Sequence, residues 1–124
     1  MNRKTLTDRC YKLAREIVLH MAHHSCQLCG GDASEVHHVI RCGMGGNVRA
    51  RIAVMNMLAI CRICHGKLHD MGRSEEYSMI EENFPAVYAY VLDYKPAKST
   101  VPLSWLRDQK ETLTNILKSV EKEG

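Results

Sequence analysis

Two sets of residues have the types and spacing to do chemistry. The first is four cysteines in two Cys-x-x-Cys pairs, Cys26 with Cys29 and Cys61 with Cys64. Soft thiolates grouped in this way are the usual closed tetrahedral shell of a structural zinc ion. Gly30 and Gly31 follow the first pair and permit the tight turn that lets two thiolates converge. The bland alternative is two unrelated pairs of buried cysteines, each a small core residue, but the repeated spacing favours metal. Four thiolates leave no open position for substrate or water, so the zinc would be scaffolding and any catalysis would need another set of side chains. A second set lies inside and just after the cysteine loop: His37 and His38, Asn56, and His65 with His69.

These residues must be held by local elements that the sequence outlines. Leu6, Cys10, Leu13, Ile17 and Met21 recur every three or four positions, which predicts a helix over residues 6–23, with Thr5 and Asp8 as a capping box. Cys10 then belongs to its buried stripe. Residues 35–40 and 55–60 have the composition of two paired strands joined by a long connection containing Gly43, Gly45 and Gly46. Residues 62–69 read as a helix despite Gly66, and there His65 and His69 share one face.

Further on, Ser74 is the expected N-cap of a helix with Met79 and Ile80 turned inward. A break at Asn83, Phe84 and Pro85 and a second helix over 85–94 follow. Residues 95–102 have linker composition, and Leu106, Leu113, Ile116, Leu117 and Val120 mark a final amphipathic helix. The fold class is thus α+β and mainly helical. It forms one domain over 1–124: the N-terminal helix, a metal module over 26–69 and a helical extension over 74–122. The last stripe is read first as packing on its own domain, with a homodimer through the C-terminal helices as the alternative.

With 124 residues, 45% hydrophobic and 25% charged, composition argues neither for disorder nor for a fibre. No run approaches the roughly 20 apolar residues of a membrane span, and residues 1–5 lack a signal-peptide core. A cytoplasmic protein is expected, where a disulfide framework for six cysteines is disfavoured. The net charge of +3 hides a division. Arg41, Arg49, Arg51, Arg62, Lys67 and Arg73 face Asp70 alone, whereas Glu75, Glu76, Glu81, Glu82 and Asp93 form a stretch without a base. The basic part suits phosphates, and the acidic part is expected to be held away from that surface.

The run Glu35-Val36-His37-His38-Val39-Ile40, the loop glycines, and Asn56 through Cys61, Cys64, His65 and His69 together resemble the HNH (ββα-metal) endonuclease motif in its four-cysteine zinc form, over roughly residues 26–69. The resemblance implies that His38 is the general base for the attacking water and that Asn56 braces the loop presenting it. It implies that His37, His65 and His69 hold a catalytic divalent ion: Mg²⁺, Mn²⁺, Zn²⁺ or Ni²⁺. Many family members carry aspartate at the position of His37, and an imidazole-rich set favours softer ions than magnesium. DNA is the implied partner, reached through Arg41, Arg49, Arg51, Arg62 and Lys67, and small proteins of this kind are common in phages and restriction systems of bacterial hosts. One competing reading is a non-catalytic, zinc-ribbon-like nucleic-acid-binding module, which has no need of the histidines. A metal-sensing or protein-interaction domain leaves the basic half unexplained.

Other residues read more plainly. His20, His23 and His24 suit a solvated helix end, and Cys42 a partly buried thiol. Trp105, Tyr77, Tyr88, Tyr90 and Tyr94 suit packing in the helical tail.

Overall fold

In the computed structural model, which describes residues 1–42, 47–96 and 100–123, the chain becomes helical where Asn2 can cap it. The Asn2 side chain accepts from the Thr5 N–H at 2.8 Å, and the Leu6 N–H bonds the Asn2 carbonyl. Helix α1 therefore spans Arg3–Met21, and Thr5 and Asp8 lie within it rather than capping it. A side-chain acceptor one turn earlier has taken that role. The helix leaves through His23 and His24, both exposed and both left-handed, with φ of 54° and 56°.

Strand β1 (Glu35–His38) pairs antiparallel with β2 (Met57–Ile60), setting His37 opposite Leu58 and His38 opposite Met57. Both strands are shorter than their sequence pattern. The chain bends after His38, where the Val39 N–H takes the Asn56 carbonyl at 3.0 Å, and residues Val54–Asn56 form a 3-10 turn into β2. Between the strands lies the short helix α2 (Val48–Arg51). Gly43, Gly45 and Gly46 of the connection, and Ala97, Lys98 and Ser99 of the linker, lie outside the described residues.

Helix α3 (Arg62–Asp70) follows β2 directly, so strand, strand and helix come in the expected order. Helix α4 (Arg73–Asn83) begins one residue before the expected cap Ser74: the Glu76 N–H closes its first turn on the Gly72 carbonyl. Glu75 and Glu76 in that turn complement the helix dipole. Pro85 opens α5 (Pro85–Asp93), and α6 (Leu103–Glu123) ends the fold.

Two apolar clusters fix these parts. In the larger, Leu6, Cys10, Ala14 and Ile17 of α1 meet Leu106 and Leu113 of α6 together with Val36, Met57 and Ala59 of the sheet. The stripe of α6 is thereby laid largely on α1, while Ile116 stays 40% exposed. In the smaller, Val39 and Leu58 receive Ile80 of α4 and Val87 of α5, edged by Tyr77 and Tyr88. This second cluster draws the acidic helix α4 against the sheet. Among the described residues no helix is long and apolar enough to cross a membrane.

Candidate metal centres

The cysteines converge as their spacing implies. Cys26 and Cys29 sit in a turn whose Gly30 adopts φ +81°, a conformation that favours glycine. Gln27 docks this turn on β2, its N–H bonding the Ala59 carbonyl at 3.0 Å and its side chain accepting from the Ala59 N–H at 2.7 Å. Cys61 caps α3, its sulfur accepting from the Cys64 N–H. All four sulfurs lie within 4.8 Å of one another. Sulfurs each about 2.3 Å from one zinc stand roughly 3.8 Å apart; Cys29 Sγ and Cys61 Sγ are 3.7 Å apart.

The protons of this cluster are in conflict. Burial raises the Cys26 thiol, but hydrogen bonds from the backbone of Cys61, Cys29 and Leu28 outweigh it and bring it down to about 6. Burial and the neighbouring sulfurs push Cys64 up to about 12. A dication answers that conflict, because ligating thiols are all deprotonated. The four cysteines are therefore placed to bind a structural metal such as zinc.

The second centre gathers His37, His65 and His69, whose candidate ligand atoms also lie within 4.8 Å of one another. β1 supplies His37, and α3 supplies the other two from one face, their rings 4.8 Å apart. Hydrogen bonds assign the nitrogens. His37 Nε2 donates to Glu76 Oε2 at 2.8 Å, leaving Nδ1 bare. His65 Nδ1 donates to Glu35 Oε1 at 2.7 Å, leaving Nε2 bare. His69 Nδ1 accepts from Arg41 NH1 at 3.0 Å, so a metal at that nitrogen must displace the guanidinium. Nitrogens bound at about 2.1 Å to one ion stand roughly 3–3.5 Å apart, so modest side-chain rotation closes the set. The donor set fits one divalent ion that prefers imidazole.

His38 points to the opposite face of β1 from His37, with no bulge in the ladder. Both nevertheless line one cleft of about 340 Å³, together with His65, His69, Arg41, Arg51, Cys42, Val36 and Tyr11. The Tyr11 and His38 rings stack at 5.8 Å. His38 Nε2 donates to the Arg51 carbonyl at 2.9 Å, which leaves Nδ1 as its acceptor. Burial holds both His37 and His38 below the ordinary imidazole pKa, which favours the neutral ring in each.

Asn56, fully buried, accepts from the Ile40 N–H at 2.7 Å and donates to the carbonyls of Ile40 and Ala50 at 3.1 and 3.0 Å. One amide thus ties together the two ends of the connection between the strands.

The basic residues expected at phosphate divide. Arg41 and Arg51 line the cleft; Arg49, Arg62 and Lys67 do not. The Arg41 guanidinium is also engaged by Glu76 at 3.2 Å. Arg49 lies over the Trp105 ring at 4.7 Å. Lys67, two residues from either histidine, lies on the other side of α3.

Three site residues escaped the sequence reading: Tyr11, Glu35 and Glu76. The acidic stretch is not wholly held away, because Glu76 is completely buried against His37. The spacing from Ile80 puts Glu76 on the inward face of α4 without indicating which side chain it meets there. Cys42, its thiol raised by burial, hydrogen-bonds the Ile40 carbonyl, and Cys10 is buried in the α1 stripe. Comparison of the chain with protein-family models, with curated proteins and with solved structures gives no match.

Proposed function

We propose that this chain is a metal-dependent HNH (ββα-metal) endonuclease that hydrolyses DNA phosphodiester bonds. One observation carries the reading: His38, its Nε2 held by the Arg51 carbonyl, shares a cleft with three histidines fit to hold a divalent ion. A structural ion in the cysteine cluster has no use for that arrangement. The order strand, strand, helix, with these residues on each element, supports it further.

In the proposed reaction the Arg51 carbonyl holds the Nε2 proton of His38, so Nδ1 takes the proton of a water molecule as its oxygen attacks phosphorus. The new P–O bond forms as the bond to the 3′ oxygen breaks, leaving a 5′ phosphate and a 3′ hydroxyl that takes its proton from solvent. A divalent ion on His37, His65 and His69 would supply Lewis-acid stabilisation of the phosphate and the leaving oxygen. Tyr11 restricts rotation of His38 by stacking on it. Arg51 offers its guanidinium to a flanking phosphate, and Asn56 keeps the connection between the strands closed.

The test incubates zinc-loaded protein and its His38→Ala variant with supercoiled plasmid, supplying Mg²⁺, Mn²⁺, Ni²⁺ or Zn²⁺ in turn. Nicking by the wild type alone is the expected result. Wild-type protein that binds the plasmid and leaves it intact under every ion would instead establish a non-catalytic binding module.

A further inference from the structure

We propose that Glu76 is a positioning residue for the histidine centre, fixing His37 with Nδ1 toward the ion and holding Arg41 across the cleft from the same carboxylate. The inference rests on the reading of that centre as a divalent-ion site.

Glu76 is 0% exposed and His37 1%. A buried carboxylate is costly unless its oxygens are satisfied, and apolar residues of similar size commonly serve stability as well as a buried ion pair does. Stability alone therefore gives α4 little reason to carry an acid here. What Glu76 does have is two specific partners on separate oxygens: His37 Nε2 on Oε2 at 2.8 Å and Arg41 NH2 on Oε1 at 3.2 Å. The first bond selects the tautomer of His37. A carboxylate can only accept, so the proton sits on Nε2 and the lone pair on Nδ1.

The same device recurs on the second histidine, where Glu35 takes Nδ1 of His65 and leaves Nε2 bare. Two of three imidazoles thus carry a carboxylate on one nitrogen and offer the other, the support that metal-ligating histidines use to fix ring orientation and raise basicity. The second bond of Glu76 reaches His69 indirectly. Arg41, anchored on Oε1, donates through NH1 to His69 Nδ1, so the acid reaches His69 only through a guanidinium that must release that nitrogen before an ion can take it.

The fold explains how an acidic helix delivers this group. Ile80 packs in one buried cluster with Val39 and Leu58, and Leu58 is the ladder partner of His37. Glu76 lies one turn before Ile80 on the same face, so seating Ile80 carries the carboxylate to the imidazole.

The test uses the full zinc-loaded chain and Ni²⁺ as probe, measured by calorimetric titration, with zinc content and far-UV circular dichroism recorded beside it. Glu76→Gln is expected to keep its zinc and its fold and to bind Ni²⁺ about 10- to 100-fold more weakly. In a His37→Ala background the same substitution should add little, because Glu76 acts through His37. A folded Glu76→Gln with wild-type Ni²⁺ affinity overturns the proposal. So does an undiminished effect in the His37→Ala background, or a wild type that binds no Ni²⁺ at its histidines.

Should Glu76→Gln fail to fold, nitrogen-detected NMR of the wild type still decides. The expected tautomer of His37 carries its proton on Nε2, and a proton on Nδ1 refutes the assignment. A wild type with Glu76-dependent Ni²⁺ binding that nicks no plasmid sinks the nuclease reading and leaves this one standing.

Discussion

Helix α3 carries candidate ligands of both centres: Cys61 caps it, Cys64 lies in its first turn, and His65 and His69 follow along one face. The support behind those ligands differs. At the cysteines much of it is local, backbone N–H groups of Gly31 and Cys64 donating to sulfurs two and three residues away, with the Cys61 backbone reaching Cys26 and Gln27 docking the first turn on Ala59. At the histidines it is remote, from Glu35, Arg41 and Glu76, groups 28 to 39 residues from the rings they meet. A centre that builds its own turns can organise a fold. A centre whose ring orientations depend on α4 and β1 can form only after the fold exists. The cysteine cluster should therefore govern folding and the histidine cluster function, with little exchange between them.

Removing zinc is the most severe way to break that division. Structural zinc contributes about 10–16 kcal/mol in small domains, as much as the whole stability of an ordinary one, about 5–15 kcal/mol. Cys64→Ser, or prolonged chelation, is expected to abolish zinc binding and the cooperative thermal transition, followed by zinc content and circular dichroism. Retention of a cooperative melt without zinc would show that the α1–α6 core suffices, and the contrast between centres would collapse.

His38→Ala works on the opposite side. It should slow plasmid nicking by about 10²- to 10⁴-fold, the usual worth of a general base. Zinc content and melting temperature should hold, because the residue is half-buried at the cleft and leaves one carbonyl, that of Arg51, and one stacked ring, that of Tyr11, without their partner. Zinc loss in this variant equal to that of Cys64→Ser would show one coupled centre rather than two.

Asn56 falls between the two. Its amide serves no metal, yet it satisfies the backbone at both Ile40 and Ala50. Each buried group left unpaired costs about 1–3 kcal/mol, so Asn56→Ala should lower stability by about 3 kcal/mol in urea unfolding while zinc is retained. Asn56→Asp tests the direction of the bonds. It keeps an acceptor for the Ile40 N–H but sets an oxygen against two carbonyls, and it should be the worse substitution. An aspartate tolerated as well as asparagine would mean the amide N–H groups are not used.

The difference between local and remote support also decided what could be read from the sequence. Cys26, Cys29, Cys61 and Cys64 were legible because the turn that gathers each pair is written between its members. His65 and His69 were legible because four residues is one helical turn. Glu76 looked like part of a solvated acidic run, since nothing near it in sequence reveals that Ile80 is seated beside Leu58. Tyr11 follows the buried Cys10 on α1, and its place against His38 depends on how that helix lies on the sheet. The helix caps failed for a smaller reason: Thr5 and Ser74 are good cap residues, but Asn2 and Gly72 take that place three and two residues earlier.

Arg51 offers the mildest and most discriminating substitution, because its side chain and its carbonyl do different work. The guanidinium pairs with Asp8 at 3.3 Å and lies over the Tyr11 ring at 5.3 Å, with both charged side chains 44–45% exposed. An exposed pair of this kind is worth about 0–1 kcal/mol, and an exposed cation–π contact about the same. The carbonyl, by contrast, holds the tautomer of His38 and survives any substitution. Arg51→Ala should therefore leave stability within about 1 kcal/mol and keep the nicking rate on saturating DNA close to wild type. What should fall is affinity, with the slope of log K against log salt reduced by about one as a single phosphate contact is lost. A rate on saturating DNA that drops as far as in His38→Ala would place the guanidinium, not the carbonyl, in control of the base. The histidine centre would then depend on an exposed side chain, and the line between a rigid structural site and a precisely held functional one would have to be redrawn at Arg51.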